Sequence, residues 1–494
     1  MLERQPSQYV RAAGALVPIA LYALILWCWF RPDFVQSWRE TDTQSIARHL
    51  AEPGSSIFYP RIDWGGSGEG YVETEFQLYP WLIALFLRVF GDVEWPGQLI
   101  SVLAVAGAAW VVFGGLGRRY GPVPAAFALA AFLVPRGVVL AATVIQPEAL
   151  CLLLYASAWF AFERYASSGS RGRLASYAVL GLTAMLVKPT AAQLGISSFV
   201  LLLLGSRERL RSLAPWFAWA FMVGGLVLYL LHARQLYVQY GNTFGVLSGG
   251  DSKLPHLEHL LVPKLYAKAA LNAVLWGLGP VGAAAALIAL FLGTDRAPIV
   301  ALLVGNAVWT LLALRYTSDY AGRHYHLLGA VLAAESVAQV VARVTAAPQR
   351  LWARAALGAG VFAALLDSLH VRRAYRSSDF DAPAVAVAKA LSTHARQREL
   401  VVVRSTEPAY DSFWKTPSNF QDPRVFYLSR THGWPVASDD ARVESVRRPA
   451  LSGARFYVET VERPAIPELD AWLSSHATLL DSTQFGGRVY ALSH

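Results

Sequence analysis

Along most of the chain, apolar runs of membrane-spanning length alternate with short polar stretches. A hydrocarbon core of about 30 Å takes about 20 apolar helical residues. Runs that approach this length predict eleven spans: Ala12–Phe30, Pro96–Leu116, Pro122–Leu140, Pro147–Phe162, Leu174–Val187, Thr190–Leu204, Leu213–Leu231, Leu271–Leu292, Ala297–Leu314, Leu327–Val341 and Leu351–Leu366. The shorter of these must extend through flanking polar residues to cross. The apolar run Pro80–Phe90 is too short to span, carries Trp81 and Arg88, and is expected to lie flat at the interface.

Two stretches break the rhythm. From Trp38 to Gly91 runs a long, acidic, aromatic segment, with eight carboxylates between Asp33 and Glu75. A turn between membrane helices needs only a few residues, so this loop is where chemistry is expected. From about Arg372 the hydropathy falls again. Leu400–Val403 and Arg455–Val458 read there as short buried strands, and Val385–His394 and Ile466–Ser475 as helices. Asn419, Pro423 and Gly433–Trp434–Pro435 mark loops. The expected fold class is mainly α: a polytopic membrane helix bundle over residues 1–370, with the acidic loop and interfacial helix at 31–95, followed by a small soluble α/β domain at 371–494.

Composition supports a membrane protein: 55% of the 494 residues are hydrophobic and only 16% are charged, against about a quarter in soluble domains. The net charge of +9 does not imply nucleic acid, because the arginines fall in short loops. Arg118–Arg119, Arg164/Arg171/Arg173, Arg207/Arg209/Arg211, Arg296 and Arg343/Arg350/Arg354 all lie on one side if Pro80–Phe90 does not cross. The positive-inside rule makes that side, with the N-terminus, cytoplasmic. The acidic loop, the Val144–Pro147 turn, the His232–Ala270 loop, the Arg315–His326 loop and the tail then lie outside. A multi-pass inner-membrane protein follows. The first apolar stretch ends in Trp27, Trp29, Phe30 and Arg31 without a small-residue cleavage site, so it reads as a retained span. Both cysteines, Cys28 and Cys151, sit in apolar spans, which argues against a disulfide framework.

Candidate chemistry starts with Glu40 and Asp42, just beyond the first span and at the start of a helix expected over Thr43–Leu50. Either one is a possible helix cap. Shielded from bulk water, either is also a possible general base for an attacking hydroxyl. Asp63 follows in YPRIDWGG, a turn-rich loop whose glycines permit close approach to a ligand, with a structural turn as the plain alternative. Glu73 and Glu75 precede the interfacial helix, where a solvated turn would place them.

On the outer side, Arg136, Lys188, Arg315 and Arg323 run against the topology rule. They are either structural, through snorkelling or salt bridges, or a clamp for phosphate. His324 and Tyr325 share the RYTSDYAGRHYH segment with Arg315 and Arg323. Gln146 and Glu148, in the QPEAL turn, could pair with Lys188 or face a sugar. His324 and His326 are too closely spaced for one helical face, so no metal centre is expected. No Walker, dinucleotide or nucleophile-elbow motif stands in the chain, so no nucleotide cofactor is expected and a membrane-embedded donor is favoured.

The order of these parts resembles the C-type (GT-C) glycosyltransferases, nearest to bacterial relatives of protein O-mannosyltransferases and lipid-A aminoarabinose transferases. ETDTQSIARHLAE, YVETEFQLYPWLIALFLRVFG, LGRRYGPVPAAFALAAF, IQPEAL and LVKPT carry the resemblance, over about residues 10–340. It implies a polyprenyl-phosphate-linked sugar donor, a first-loop acid as base, basic residues on the lipid phosphate, and a glycan, lipid or protein acceptor. Relatives often carry an Asp-Glu pair where this chain has Arg39–Glu40, and the aminoarabinose branch has a lysine near Glu75. The base is then Asp42, Glu40 or Asp63, ranked in that order. The phosphate cation comes from Arg39, Arg136, Lys188 or Arg323. A transporter or flippase would use the same cations as a path. The absence of a sequence repeat and the size of the acidic loop favour catalysis over that reading.

Overall fold

The structure, a computed structural model, describes residues 23, 37–248, 256–293, 295–319, 322–346, 382–462 and 466–493. The expected spans Ala12–Phe30 and Leu351–Leu366 lie outside the described residues, apart from residue 23. The chain divides into two compact units. One, the helical unit, comprises Met1–Pro32, Gln98–Leu228 and Lys253–Arg376. The other, the loop-and-tail unit, comprises Asp33–Gly97, Tyr229–Ser252 and Ser377–His494. The first loop, expected as part of the membrane domain, therefore clusters with the tail.

In the helical unit the apolar runs form helices because they offer no competing turn chemistry, and glycine or proline ends them. Glu148–Ser168 stops at Gly169, whose left-handed backbone (φ 72°) closes a tight turn into Arg171–Val187. Those two helices pack on each other, Ala297–Leu312 packs on Gln193–Gly205, and Gly329–Thr345 packs on both Pro122–Leu133 and Gly279–Leu292. Four described helices are long and apolar enough to cross a membrane: Trp95–Tyr120, Leu213–Tyr240, Pro263–Phe291 and Arg323–Thr345. The count rises to five if a bent pair is one span. The protein is thus a polytopic membrane helix protein, with four or five helices of that length and composition among the described residues.

The bent pair corrects one expectation. The run Pro122–Leu140 is not one straight helix but Pro122–Leu133 followed by Arg136–Thr143, turned by 69°. Pro135 causes the break, since it lacks an N–H for the helix ladder, and its own backbone turns extended (ψ 138°). Leu78–Phe90 is a helix of 13 residues. At 1.5 Å per residue it reaches only about 20 Å, too short for the bilayer. It buries Tyr79, Ile83, Ala84 and Leu87 on one face and exposes Leu85, Val89 and Phe90.

The loop-and-tail unit is built around a mixed sheet. Its strands, in chain order, are β1 (Val72–Glu73), β2 (Asn242–Thr243), β3 (Leu400–Arg404), β4 (Tyr410–Asp411), β5 (Thr416–Pro417), β6 (His432–Val436), β7 (Phe456–Glu459), β8 (Ala477–Ser482) and β9 (Arg488–Leu492). The main sheet runs β6-β3-β7-β9-β8, parallel through β6, β3 and β7 and antiparallel beyond. β1 pairs with β2 and β4 with β5. The strands expected at Leu400–Val403 and Arg455–Val458 are β3 and β7, and the two expected tail helices are Ala382–Ser392 and Pro467–His476. β6 corrects the loop expected at Gly433–Trp434–Pro435. A proline that cannot donate to a ladder is tolerated there because β6 is the edge strand.

Alternation along β3 sends its residues to two cores. Val402 joins Tyr457, Val446, Leu469 and Leu473 on one face. Val401 and Val403 join Val458, Val489, Leu391 and Phe426 on the other, and that core is completed by Ile46, Leu50, Ile62, Trp64 and Val72 from the first loop. The backbone joins them too: Gly66 N donates to Gly433 O at 2.8 Å and Gly433 N donates to Asp63 O at 3.0 Å. Gly66 needs its positive φ (73°) for this turn, and an added Cβ would stand 2.7 Å from Trp434 Nε1.

Candidate active site

Asp42 sits in the second turn of the helix Trp38–Ala51. Every residue from Glu40 to Ser45 is buried, although all six are polar or charged. The polar side chains find partners on the helix itself and beyond it. Thr41 Oγ1 donates to Trp38 O and Thr43 Oγ1 to Arg39 O, both at 2.7 Å, and Gln44 Nε2 donates to Glu94 O at 3.1 Å. Asp42 differs. Among the described residues its carboxylate accepts one side-chain hydrogen bond, from Trp64 Nε1 at 3.1 Å. An ionised carboxylate offers about four acceptor positions, so Asp42 keeps acceptor capacity to spare. Burial pushes its carboxyl well above the usual range. The Trp64 bond and Arg39 pull it down, and the charges of Asp422 and Asp63 push it further up.

Asp63 has the opposite surroundings. Its carboxylate accepts from Ser45 Oγ at 2.7 Å and faces His49 Nε2 at 2.8 Å. Burial pushes it up, but the His49 bond and charge, with Ser45 and Arg48, outweigh that and hold it below its usual value. His49 is pulled down by burial, yet its bonds to Asp63 and Glu52 hold it above its usual value. Glu52 in turn is held down at about 2, chiefly by its bond to His49. Asp63, His49 and Glu52 are thus an ionic strut tying helix to loop.

Glu40 Oε2 accepts from Ser37 Oγ at 2.7 Å and Ser37 N at 3.3 Å, the geometry of a helix cap. Arg39 is half-buried beside it. Glu75 is half-buried, and its backbone carbonyl accepts from Gln77 Nε2 at 2.7 Å. Glu73, expected in a solvated turn, is fully buried instead. It accepts from Thr243 Oγ1 at 2.7 Å, Leu247 N at 3.0 Å and Ser248 N at 3.1 Å, which fastens β1 to β2. The sequence carries no signal for Trp64 or His49, and Glu73 reads there as solvated, because their partners lie 14 to 175 positions away.

The outer cations gather in the helical unit. Lys188 ends the helix Arg171–Val187, where Pro189 forbids continuation, and is buried with its Nζ 3.5 Å from Glu148 Oε1. The pairing of Lys188 with the QPEAL turn is therefore through Glu148, with Gln146 half-buried just before it. His324 Nε2 stands 3.9 Å from the same carboxylate oxygen. Arg323 and Arg136 share the face of Trp276, at 5.0 and 5.9 Å from its centroid. Trp276 lies on a π-helical turn, Ala273–Leu278, and Gly137 admits it closely: an added Cβ there would overlap the Trp276 carbonyl oxygen. Tyr325 stacks near both His324 (4.4 Å) and Tyr316 (5.3 Å), and buried Arg315 lies over Tyr316 at 5.3 Å. The segment Arg323–His326 thus meets each cation through a different neighbour: Arg136 through Trp276, Lys188 through Glu148 and Arg315 through Tyr316. Among the described residues no group of three or more His, Cys, Asp or Glu could hold a metal ion.

Residues 77–232 match the model of the dolichyl-phosphate-mannose-protein mannosyltransferase family. No curated protein matches the chain by sequence. Among solved structures, ArnT from Cupriavidus metallidurans, bound to undecaprenyl phosphate, is similar with a TM-score of 0.59 at 13% identity, over 98% of each chain. An oligosaccharyltransferase from Archaeoglobus fulgidus gives 0.53 at 11% identity, over 98% of this chain and 73% of that one. The archaeal oligosaccharyltransferase AglB from the same organism, in complex with an inhibitory peptide and a dolichol-phosphate, gives 0.52 at 10%, over 99% and 75%. Likeness at such identities is likeness of fold. The chain has the fold of the GT-C superfamily of membrane glycosyltransferases.

Proposed function

We propose that the protein transfers a sugar from a polyprenyl-phosphate carrier to a hydroxyl-bearing acceptor (an envelope glycan, a lipid or a protein) at the outer face of the membrane, with Asp42 as general base. The acceptor hydroxyl attacks the anomeric carbon and loses its proton to Asp42. The bond from that carbon to the phosphate oxygen breaks, and the phosphate leaves with the bonding pair. Configuration at the sugar inverts. Lys188, Arg136 and Arg323 receive the charge that develops on the phosphate. Arg forks and a Lys point charge suit this work.

The observation that carries the reading is the state of Asp42: desolvated, its carboxyl raised well above the usual range, and held by one side-chain donor among the described residues, with acceptor positions left over. A general base works best when its pKa approaches the working pH. Of the rival bases, Glu40 is committed to the helix cap and Asp63 to the His49 strut.

The test is turnover of a panel of polyprenyl-phosphate sugars by the protein in lipid, followed as free polyprenyl phosphate by mass spectrometry. Wild type should release the lipid phosphate, and Asp42→Asn should lose a factor of about 10² to 10⁴. Full turnover in Asp42→Asn would move the base elsewhere. Movement of intact donor across the bilayer without release would favour a flippase.

A further inference from the structure

The tail reaches the helix that carries Asp42. Asp422 and Arg424 are almost wholly buried, at 1% and 2% exposure. They form a forked pair: Arg424 Nε donates to Asp422 Oδ1 at 2.9 Å and Oδ2 at 3.1 Å, and Nη2 donates to Oδ2 at 2.6 Å. The backbone N of Arg424 adds a bond to Oδ1 at 3.0 Å. The Arg424 guanidinium lies over the Trp38 ring, 5.9 Å from its centroid. The helix that Arg424 begins, Arg424–Ser429, packs against Trp38–Ala51. Trp38 and Asp42 are four residues apart and share a helical face. Taking two charges out of water costs several kcal/mol per ion, and apolar residues of similar volume hold a fold equally well. A buried pair at this place therefore asks for a reason beyond stability.

We propose that Asp422, fixed by Arg424, is a positioning residue for the Asp42 base: the tail sets a buried carboxylate against the helix that carries Trp38 and Asp42. This rests on the reading of Asp42 as the base. The charged groups around Asp42 are Arg39 and Glu40 on its own helix, Asp63 on the glycine-rich loop, and Asp422 with Arg424 from the tail. Asp422 stands first among the charges that favour the protonated form, ahead of Asp63, and Arg39 opposes them. The tail is on this account part of the catalytic apparatus.

The test is an isotope-edited infrared titration of the Asp42 carboxyl in the full-length protein, with the band lost in Asp42→Asn taken as its signal. In Asp422→Asn the midpoint should fall by roughly half to one pH unit, as expected when a like charge is removed. The acid limb of donor turnover should move down with it. Asp422→Asn removes the forked ion pair of the buried Arg424, which can unfold a domain. The neutral pair D422N/R424Q avoids that and should give a shift of the same sign. A midpoint unmoved in both variants, with native thermal melts, overturns the proposal. So does a lower rate with no movement of the acid limb, because that is a purely structural effect. If Asp42→Asn keeps full turnover while the midpoint still shifts, the base assignment fails and the electrostatic coupling stands.

Discussion

Two neighbourhoods in the loop-and-tail unit, around Asp63 and around Asp42, drive a desolvated aspartate in opposite directions. Around Asp63 stand His49, Ser45 and Arg48, and the carboxylate is stabilised as an ion. Around Asp42 stand an indole N–H, one arginine and two further carboxylates, and the proton is held more tightly. Loss of water is common to both, so the partners decide the outcome. Paired environments that push like groups apart are how one fold separates a structural ion from a proton acceptor.

The largest break in this comparison comes from Asp42→Asn. Beyond its loss of turnover it should not lower stability at pH 7. A raised folded pKa means that ionising Asp42 costs the folded state as pH climbs past the unfolded value, and asparagine removes that cost. A melt clearly below wild type would show that the carboxylate is structural.

Asp63→Asn should do the reverse, keeping most turnover while costing about 1–3 kcal/mol of stability. Asp63 is depressed in the fold, so its contribution is present above the unfolded aspartate value and lost as pH falls through the folded one. His49 is raised, so its contribution is present below the unfolded histidine value and lost as pH rises through the folded one. The strut is therefore strongest between about pH 4 and 6.5. Melts across pH should show the gap between wild type and Asp63→Asn widest in that window, and a constant gap would refute the strut.

Lys188→Ala should raise the apparent KM for donor about tenfold, or about 1.4 kcal/mol, the order of one charge-assisted bond. An unchanged KM with a lower melt would make the Lys188–Glu148 pair structural. Glu40→Gln should cost no more than about 0.5 kcal/mol, since glutamine still serves the capping box, and should leave turnover untouched. A large loss of turnover there would return Glu40 to the list of bases.

Much of this was legible in the sequence where the signal is local. Apolar runs mark the helices, β-branched runs mark β3 and β7, and the QPEAL and LVKPT segments offer Glu148 as one partner for Lys188, which stands 3.5 Å from it. What stayed hidden depends on distant partners. Glu73 precedes a helix and reads as solvated, but its donors come from residues 243–248. β6 reads as a loop because Gly433 and Pro435 are loop residues, and only its place at the sheet edge makes a strand of them. The first loop looked like an appendage of the membrane helices because nothing in Ile46, Leu50 or Trp64 names Val401 and Phe426 as their neighbours.

That shared core sets a timetable for the chain. Glu52 of the loop meets Arg398 of the tail across 346 positions. At about 5–20 residues per second of synthesis, roughly 20–70 s separate the two ends of that contact on the ribosome. Throughout that interval Trp64, Ile46 and Leu50 have no tail to cover them, so the nascent loop is a natural client for a chaperone.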